Sequence, residues 1–473
     1  MSKTYTPTIG IEIHVQLATK TKMFCSCDND SRSAEPNTNI CPVCLAYPGT
    51  LPVVNKRAVE LAIKLGRGLN AKVATRTSFD RKNYFYPDSP KGYQITQMDE
   101  PIIQSGHVDI LVDGEFKRIG VHHAHLEEDA GKSTHPDGAN FTLVDFNRAG
   151  TPLIEIVSEP DMHSPVEARR YLQEVYNIAT TLGVTHGDLQ HGNFKFDLNV
   201  SVSPNDSLGT RTELKNLNSF RNAERALVYE IARQIDVLEA GEKIVQETRG
   251  YNDAKNTTFS QRGKEQAHDY RYFPEPDLPP LRITPDMIEH SERDIVILPI
   301  DVRRDLIQAG VGVDEQDILI GQPHTLLAFQ QAREALTDKA LSPKLVNWLV
   351  GDYQALLSSG TAASLNGEHL AELVEMIERG TISSKIAKDI FAEVATGKSP
   401  QSIVTTKGIT QLSDRTQLEA IVREVLANNP TAVGEYKAGQ DKVLGYLVGQ
   451  VMKQTQGQAN PVMINQILRD ELA

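Results

Sequence analysis

The spacing of the apolar residues changes near Pro299, and this change constrains the fold more than any other feature of the chain. Before it, segments such as 9–17 alternate apolar and polar residues with a period of two, which is typical of half-buried strands. After it, segments such as 416–430 place apolar residues at the spacing of an amphipathic helix. The sequence therefore predicts an α+β chain, strand-rich first and helical afterwards.

Length and composition are those of a globular protein with more than one domain. The 473 residues exceed what one hydrophobic core holds, so about two to four domains are expected. The net charge of −13 argues against non-specific coating of nucleic acid. The first residues lack the pattern of a secretory signal, and no apolar run approaches the ~20 residues of a membrane span. A cytoplasmic protein is expected.

The four cysteines of the chain all lie within one short segment, 25–44. Two close pairs, separated by thirteen residues, suit one tetrahedral Zn²⁺ site. Disulfides are the weaker interpretation without an export signal, and four free thiols are the remaining alternative. A closed shell of four thiolates leaves no open position for a substrate, so a structural zinc is predicted, bound by Cys25, Cys27, Cys41 and Cys44.

Two of the predicted strands carry ligand-type side chains on their polar face. In 9–17, Glu12 and His14 lie opposite a continuous aliphatic face, and in 194–202 Asp197 lies on the equivalent polar face. A plain solvent-exposed edge is the favoured interpretation for any one such strand alone. Paired acids and histidines on several strands instead favour a site for a hard cation.

An acidic run strengthens the case for a cation. Glu127, Glu128 and Asp129 would repel one another unless positive charge lies among them. Glu155 is a lone carboxylate in an apolar run, and an edge-strand charge explains it equally well. Mg²⁺ prefers carboxylate and phosphate oxygens, which indicates an ATP-handling site, whereas the histidines of 122–125 make zinc a less favoured alternative there. The sequence has no Walker A motif, so a sheet face with metal ions would bind the nucleotide.

Nine motifs, in order along nearly the whole chain, together resemble the B subunits of the tRNA-dependent (aspartyl/glutamyl-tRNA) amidotransferases. Long motifs such as these hardly arise by chance. They are "IGIEIHVQL", "AYPGTLPVVNKRAV", "FDRKNYFYPDSPKGYQIT", "EEDAGKS", "DFNRAGTPLIEIVSEPD", "ELKNLNS", "DYRYFPEPDLPPL", "ISSKIAK" and "GQANP".

The resemblance implies a domain order and a set of partners. It implies a cradle domain over 1–297 with a largely antiparallel sheet and helices, a helical domain over 298–402 and a tRNA-binding tail over 403–473. It also implies a heterotrimer with a glutaminase subunit and a small third subunit. The implied reaction uses ATP and Mg²⁺ to phosphorylate the side-chain carboxylate of Glu mischarged on tRNA(Gln) or Asp mischarged on tRNA(Asn). Ammonia from the glutaminase then displaces the phosphate.

The resemblance also implies roles for particular residues. The catalytic magnesium ligands would be Glu12, His14, Glu127 and Glu128, with Glu155 as a further ligand. Candidates for binding the nucleotide phosphates are basic residues, each of which alone is more often a solvated surface cation: Lys82, Lys132, Arg148 and Lys195.

One segment departs from the family pattern. The family resembles M-x-E-G-S-x-R-x-D-x-N, whereas this chain reads "LQHGNFKFDLN", with His191, Asn193 and Lys195 in place of Glu, Ser and Arg. Lysine keeps the charge of arginine but loses its planar two-point contact. A tRNA-binding scaffold with an impaired kinase site is therefore the alternative function. A ligase acting on free amino acids, without RNA, is a third.

Overall fold

The computed structural model describes residues 5–189, 191–205, 207–263, 269–293, 297–360, 364–408, 415–455, 459 and 461–472. The chain forms two compact units, Met1–Asp301 and Val302–Ala473. Among the described residues, no helix is both long enough and apolar enough to cross a membrane.

The first unit contains the described strands and four of the described helices. The strands are β1 Thr6–Gln16, β2 Arg76–Thr77, β3 Asp80–Asn83, β4 Tyr93–Thr96, β5 Gly106–Val112, β6 Glu115–Glu128, β7 Lys132–Thr134, β8 Leu143–Asp145, β9 Pro152–Ser158, β10 Phe194–Ser203, β11 Thr212–Lys215, β12 Glu247–Asn252, β13 Thr257–Gly263, β14 Phe273–Pro274 and β15 Leu281–Arg282. The helices are α1 Lys56–Gly68, α2 Pro165–Thr181, α3 Phe220–Glu239 and α4 Pro285–Glu292.

Eight strands form the central sheet, in the order β13-β12-β11-β10-β1-β9-β6-β5. All neighbours are antiparallel except β11 and β12, which run parallel. Three small sheets pair β14-β3-β4, β15-β2 and β7-β8. The predicted α+β class with a largely antiparallel sheet is confirmed.

The period of two along β1 decides which face of the sheet is buried. Ile9, Ile11, Ile13 and Val15 are at most 1% exposed and belong to one core cluster with buried residues of α1, α2 and α3. Burying each such side chain contributes roughly 1.5–3 kcal/mol relative to exposure. The opposite face of the same strand is left for polar side chains.

The hairpin joining β5 to β6 turns at Asp113-Gly114, a dipeptide favoured in type I′ turns. Both residues have positive φ, +50° and +84°, as that turn requires. Strand β6 continues for fourteen residues, from Glu115 to Glu128, and its far half pairs with β9.

The remaining helices build the second part of the chain. They are α5 Pro299–Gln308, α6 Val313–Ile320, α7 Pro323–Ala335, α8 Ser342–Trp348, α9 Gln354–Ser358, α10 Gly367–Glu378, α11 Ser384–Val394, α12 Pro400–Thr406, α13 Arg415–Asn428, α14 Pro430–Lys437, α15 Val443–Gln454 and α16 Pro461–Leu472. A 3₁₀ turn at Lys339–Leu341 precedes α8, and a π-helical turn at Leu349–Tyr353 joins α8 to α9.

These helices enclose two separate hydrophobic clusters. One lies within 302–404 and the other within 418–472, where Leu418, Val422 and Val425 of α13 are buried as the helical spacing predicts. Helix α12 runs across the predicted 402/403 boundary and contributes to the first cluster. The three-part division of the chain stays a prediction.

Candidate metal and nucleotide site

The polar face of the sheet brings together side chains from three neighbouring strands. His14 on β1 lies opposite Glu155 on β9, and Glu155 lies opposite His125 on β6. Glu155 Oε2 is 3.3 Å from His14 Nε2 and 3.4 Å from His125 Nε2. The carboxylate of Glu155 is therefore held between two imidazoles.

Glu127 completes this cluster from the end of β6. Its side chain is 2% exposed, with Oε1 3.7 Å from His14 Nε2 and Oε2 3.7 Å from His125 Nε2. Glu127 Oε2 accepts no hydrogen bond from any described residue. A buried carboxylate oxygen without a donor is costly, and a bound cation removes that cost.

The cluster has donors at metal-binding separation. One ligand atom each from His14, Glu127 and Glu155 lie within 4.8 Å of one another. Two carboxylates and one imidazole leave further coordination positions for phosphate and water oxygens, as Mg²⁺ in nucleotide sites requires. The residues therefore fit a divalent cation, with Glu127 Oε2 supplying the unused acceptor.

When no cation is bound, the positive charge of the cluster comes from protonated imidazoles. Burial alone would lower the pKa of both imidazoles, but the neighbouring carboxylates of Glu155 and Glu127 outweigh it and raise each pKa to about 9. Burial would raise the pKa of Glu155, yet His125 and His14 hold it well below its usual value. His14 and His125 are thus charged near neutral pH when no metal is bound.

We expect this arrangement to make the metal-free protein less stable as pH rises from about 6.5 to about 9. The folded pKa of His14 and His125 is about 9, above the ordinary value of 6.5, so their contribution is complete below 6.5 and lost towards 9. Thermal unfolding in chelator across this range measures it, with His14→Ala showing a weaker pH dependence. A flat profile in the wild-type chain contradicts the charge assignment.

Glu12 lies on the next part of the same polar face. Burial, and then the charges of Glu155, Asp197 and Glu213, raise its pKa, and Asn199 Nδ2 donates to its Oε1 at 3.0 Å. Asp197 accepts from Lys215 Nζ at 2.6 Å. The carboxylate of Glu12 thus borders the cluster and lies in a row of acids. Among these contacts, Lys215 is the one cation that partly neutralises their charge.

Glu128 is not brought to the cluster. Its Oε2 accepts from Lys91 Nζ at 2.5 Å and its Oε1 accepts from the backbone N–H of Ile95 at 3.1 Å. Neighbouring residues of a strand point to opposite faces, which separates Glu128 from Glu127. Glu128 forms a buried ion pair with Lys91 on the opposite face of the strand.

The four predicted phosphate-binding cations fall into two groups. Lys195 on β10 is opposite His14 on β1, and both line a cavity of about 270 Å³. Lys82 lies near Glu127. Burial alone would lower the pKa of Lys82, but the charge of Glu127 outweighs burial and raises it. Arg148 donates to the carbonyls of 130 and 131, which fixes the turn after β6. Lys132 is exposed on β7, with no ion-pair partner among the described side chains. Lys82 and Lys195 therefore adjoin the cluster.

The cysteines form a second, separate cluster. One sulfur each from Cys25, Cys27, Cys41 and Cys44 lie within 4.8 Å of one another. The pKa of Cys44 is held at about 4 by a hydrogen bond from Cys25, which outweighs the effect of burial. The N–H of Cys41 and the charge of Lys22 add to this lowering. Burial and a hydrogen bond with Cys41 raise the pKa of Cys27 to about 11. Four sulfurs at this spacing fit a tetrahedral zinc.

We expect Cys41→Ser to lose about one equivalent of zinc and to unfold at a lower temperature. The three remaining thiols no longer close the shell, and the loop that they fasten loses its cross-link. Metal analysis of protein purified under reducing conditions, combined with thermal unfolding, measures both effects. Ser26→Ala, an exposed site between two of the cysteines, is the matched control. Finding no zinc in the wild-type chain overturns the assignment.

The segment that departs from the family pattern forms a network of its own. Arg32, from the cysteine segment, donates to Asn193 Oδ1 and pairs with Asp188 at 3.3 Å. Asn193 is 2% exposed and donates to Gln16 on β1, while His191 pairs with Asp188. Two of the substituted residues are therefore hydrogen-bonded members of a turn beside the sheet.

Sequence reasoning assigned His125 only to the less favoured zinc alternative and did not place it among the magnesium-site residues. A signal existed, because His125 and Glu127 are two residues apart on one strand, as Glu12 and His14 are on another. The cavity also includes Tyr84 and Gln94, which come from a different small sheet and adjoining loop. No spacing along the chain could have placed these two there.

The fold and this geometry define a class: α+β proteins whose largely antiparallel sheet carries a cluster of carboxylates and histidines on its polar face. Comparison with known proteins gives the family. The family model for the GatB/GatE catalytic domain matches residues 7–289, and that for the GatB domain matches residues 328–472. The chain therefore belongs to the GatB family, as the sequence motifs predicted.

Full-length relatives agree with this assignment. The chain is similar to proteins named as the B subunit of the aspartyl/glutamyl-tRNA(Asn/Gln) amidotransferase. That of Persephonella marina is 46% identical over 477 residues, that of Carboxydothermus hydrogenoformans 45% over 483, and that of Caldanaerobacter subterraneus subsp. tengcongensis 47% over 477. Each alignment covers 99% of this chain and 99% of the relative.

Proposed function

We propose that this chain is the amidotransferase subunit that uses ATP to activate the side-chain carboxylate of Glu mischarged on tRNA(Gln), or of Asp mischarged on tRNA(Asn). The observation that carries the proposal is the cluster of His14, Glu127 and Glu155, with its unsatisfied carboxylate oxygen and two adjoining lysines. A cation site beside lysines suits phosphoryl transfer between two anionic reactants. Family membership supplies the tRNA-borne substrate.

The chemistry explains why such a site is needed. A carboxylate does not react with ammonia at neutral pH because it has no leaving group. Transfer of the γ-phosphoryl group of ATP to a carboxylate oxygen releases ADP and gives an acyl phosphate. Ammonia then attacks the carbonyl carbon, and the phosphate leaves with the bridging oxygen, which gives the amide.

Different residues of the site would have different roles in this reaction. His14, Glu127 and Glu155 would hold Mg²⁺, with Glu12 as a further carboxylate at the border. Bound there, Mg²⁺ neutralises phosphate charge so that the substrate carboxylate can approach. Lys195, which lines the cavity, and Lys82, which lies near Glu127, would provide positive charge for the remaining phosphate oxygens. His125 orients Glu127 and Glu155 through its Nε2.

The proposal includes the partners and the place of action. A glutaminase subunit would supply ammonia and a small third subunit would complete a heterotrimer in the cytoplasm. The four-cysteine zinc would hold the loop whose Arg32 contacts the turn before β10, and so act on structure rather than chemistry. The C-terminal helices would bind tRNA.

The test is ADP formation by the purified complex with labelled ATP, Mg²⁺ and each of Glu-tRNA(Gln) and Asp-tRNA(Asn). We expect ADP release that depends on at least one of these tRNAs, and amidated product once glutamine is added. Binding of tRNA without substrate-dependent ADP release would favour the scaffold alternative. Stimulation by free Glu or Asp, without tRNA, would favour a ligase acting on small molecules.

Removal of residues 409–473 is expected to weaken tRNA binding while glutamine hydrolysis by the complex persists. The truncation keeps α12 and the cluster within 302–404, because both end before residue 409. Titration of labelled tRNA against the full-length and truncated complexes measures the effect. Equal affinities would remove tRNA binding from the tail.

A further inference from the structure

A second cavity, of about 530 Å³, opens beside the cation site and is walled by aromatic side chains. We call it the aromatic pocket and define it by Tyr84, Phe85, Tyr86, Tyr270 and Arg271, all of which line it. The side chains of Phe85 and Tyr86 are 82% and 60% exposed. Large apolar rings left in water at a cavity indicate a surface that a ligand covers.

The Phe85 ring is supported on one side although it is exposed. A Cβ atom at Gly92 would come within 3.1 Å of the Phe85 ring, so this ring lies against the backbone of Gly92. Neither Phe85 nor Tyr86 stacks on another aromatic ring within the described part of the chain. One side of the Phe85 ring is therefore supported by protein and the other is open to a planar ligand.

The opposite wall is fixed by hydrogen bonds to the end of β3. The backbone N–H of Asn83 donates to the Tyr270 carbonyl at 2.9 Å, and Asn83 Nδ2 donates to the Arg271 carbonyl at 2.7 Å. Arg271 has a φ of +46°, a conformation that a non-glycine residue adopts at some cost. The rings of Tyr84 and Tyr270 meet edge to face at 6.4 Å between centroids.

The aromatic pocket adjoins the candidate cation site. Tyr84 and Gln94 line both cavities. Lys82 Nζ lies 5.0 Å from the centroid of the Tyr270 ring, and the lysine is attracted by Glu127 and Glu155 of the cluster. A ligand whose ring stacks in the pocket can therefore reach the cation site with the group attached to it.

Two substrates of the proposed reaction carry an adenine: ATP and the 3′ end of the tRNA. Charge and exposure indicate which of them the aromatic pocket binds. The exposed guanidinium of Arg271 pairs with no described acidic side chain, so it is available to a phosphate or to the face of a base. Sites for small cofactors enclose most of the ligand, whereas exposed rings beside a free cation are typical of surfaces that bind single-stranded nucleic acid. The unpaired 3′ end of a tRNA has this chemistry and carries the amino acid.

We propose that the aromatic pocket binds the 3′-terminal nucleotides of the aminoacyl-tRNA, whose bases stack on Phe85 and Tyr86 while Arg271 contacts a phosphate. The proposal rests on the proposed function, because the aminoacyl group is the part delivered to the cation site. It assigns the pocket to substrate positioning and leaves ATP to the sheet face.

The first test compares Michaelis constants in the intact complex. Phe85→Ala and Tyr86→Ala are each expected to raise KM for the mischarged tRNA about tenfold, the effect of losing one base stack, and to leave KM for ATP unchanged. Phe85→Trp restores the wild-type value because it keeps a stacking surface. Phe116→Ala, an exposed ring near the start of β6, is the control that changes neither constant.

The second test needs no catalysis. Uncharged tRNA ending in CCA is compared with the same tRNA lacking the terminal adenosine. The wild-type complex is expected to bind the intact tRNA more tightly, and the double variant Phe85→Ala/Tyr86→Ala is expected to bind both equally. Arg271→Ala should lower the slope of log affinity against log salt by about 0.7, as loss of one phosphate contact to a single strand does.

The outcomes separate this inference from the proposed function. A rise in KM for ATP as large as that for tRNA assigns the pocket to the adenine of ATP and overturns the inference. Unchanged KM values, or undiminished discrimination between the two tRNAs by the double variant, overturn it as well. If the wild-type complex forms no tRNA-dependent ADP, the proposed function fails, and the binding comparison still decides the role of the pocket.

Discussion

Glu127→Gln is expected to lower tRNA-dependent ADP formation by about 10³-fold or more, which corresponds to several kcal/mol of charge stabilisation at the phosphoryl group. Glutamine keeps the volume of the side chain but removes the charge that would bind the cation. Glu127 Oε2 accepts no hydrogen bond from the described residues, so the fold loses no hydrogen bond there. Single-turnover assays with labelled ATP measure the loss, and His14→Ala should reproduce it.

The same preparations contain their own control. Glutamine hydrolysis would take place in the partner subunit, so it should persist in the Glu127→Gln complex. The variant should also need more Mg²⁺ to reach any residual rate. ADP formation close to the wild-type rate in both variants would place the metal site elsewhere.

Glu128→Gln, one residue further along β6, is expected to act on stability. The side chains of Glu128 and Lys91 are 5% and 12% exposed, and their ion pair at 2.5 Å is supported by the N–H of Ile95. Removing one charge leaves the other buried without a counter-charge, which typically costs about 3–5 kcal/mol. Denaturant unfolding of the isolated chain should show a lower midpoint with an unchanged slope.

Two further variants identify the cause of this loss. The double variant Lys91→Met/Glu128→Gln should recover much of the stability, because neither charge is then buried alone. Arg118, whose side chain is 64% exposed, pairs with Asp109 on the same hairpin, and Arg118→Met should change stability far less. If Glu128→Gln and Arg118→Met have equal effects, the buried pair does not stabilise the fold as its geometry indicates.

Local pattern was sufficient to predict several parts of this protein. Alternation along β1 placed Glu12 and His14 on one face, because it depends on residues adjacent in sequence. The clustering of the four cysteines likewise needs only a short loop. The change of period near Pro299 predicted where strands give way to helices.

The composition of the site depended on information that local pattern lacks. Glu155 and His125 meet His14 only because β9 lies between β1 and β6, and strand order is decided by packing of the whole sheet. Glu128 was grouped with Glu127 because the two are adjacent and acidic, although the period of two already separates them. The burial of Lys22 beside Cys44 had no signal in the sequence at all.

The central claim is that the side-chain carboxylate is activated by phosphorylation, and oxygen tracing tests it most directly. Glu carrying ¹⁸O in its side-chain carboxylate is charged onto tRNA(Gln), or labelled Asp onto tRNA(Asn), and converted by the complex with ATP and glutamine. We predict one ¹⁸O atom in the inorganic phosphate for each amide formed, because the bridging oxygen leaves with the phosphate. Phosphate free of label, recovered alongside amidated tRNA, would contradict the account.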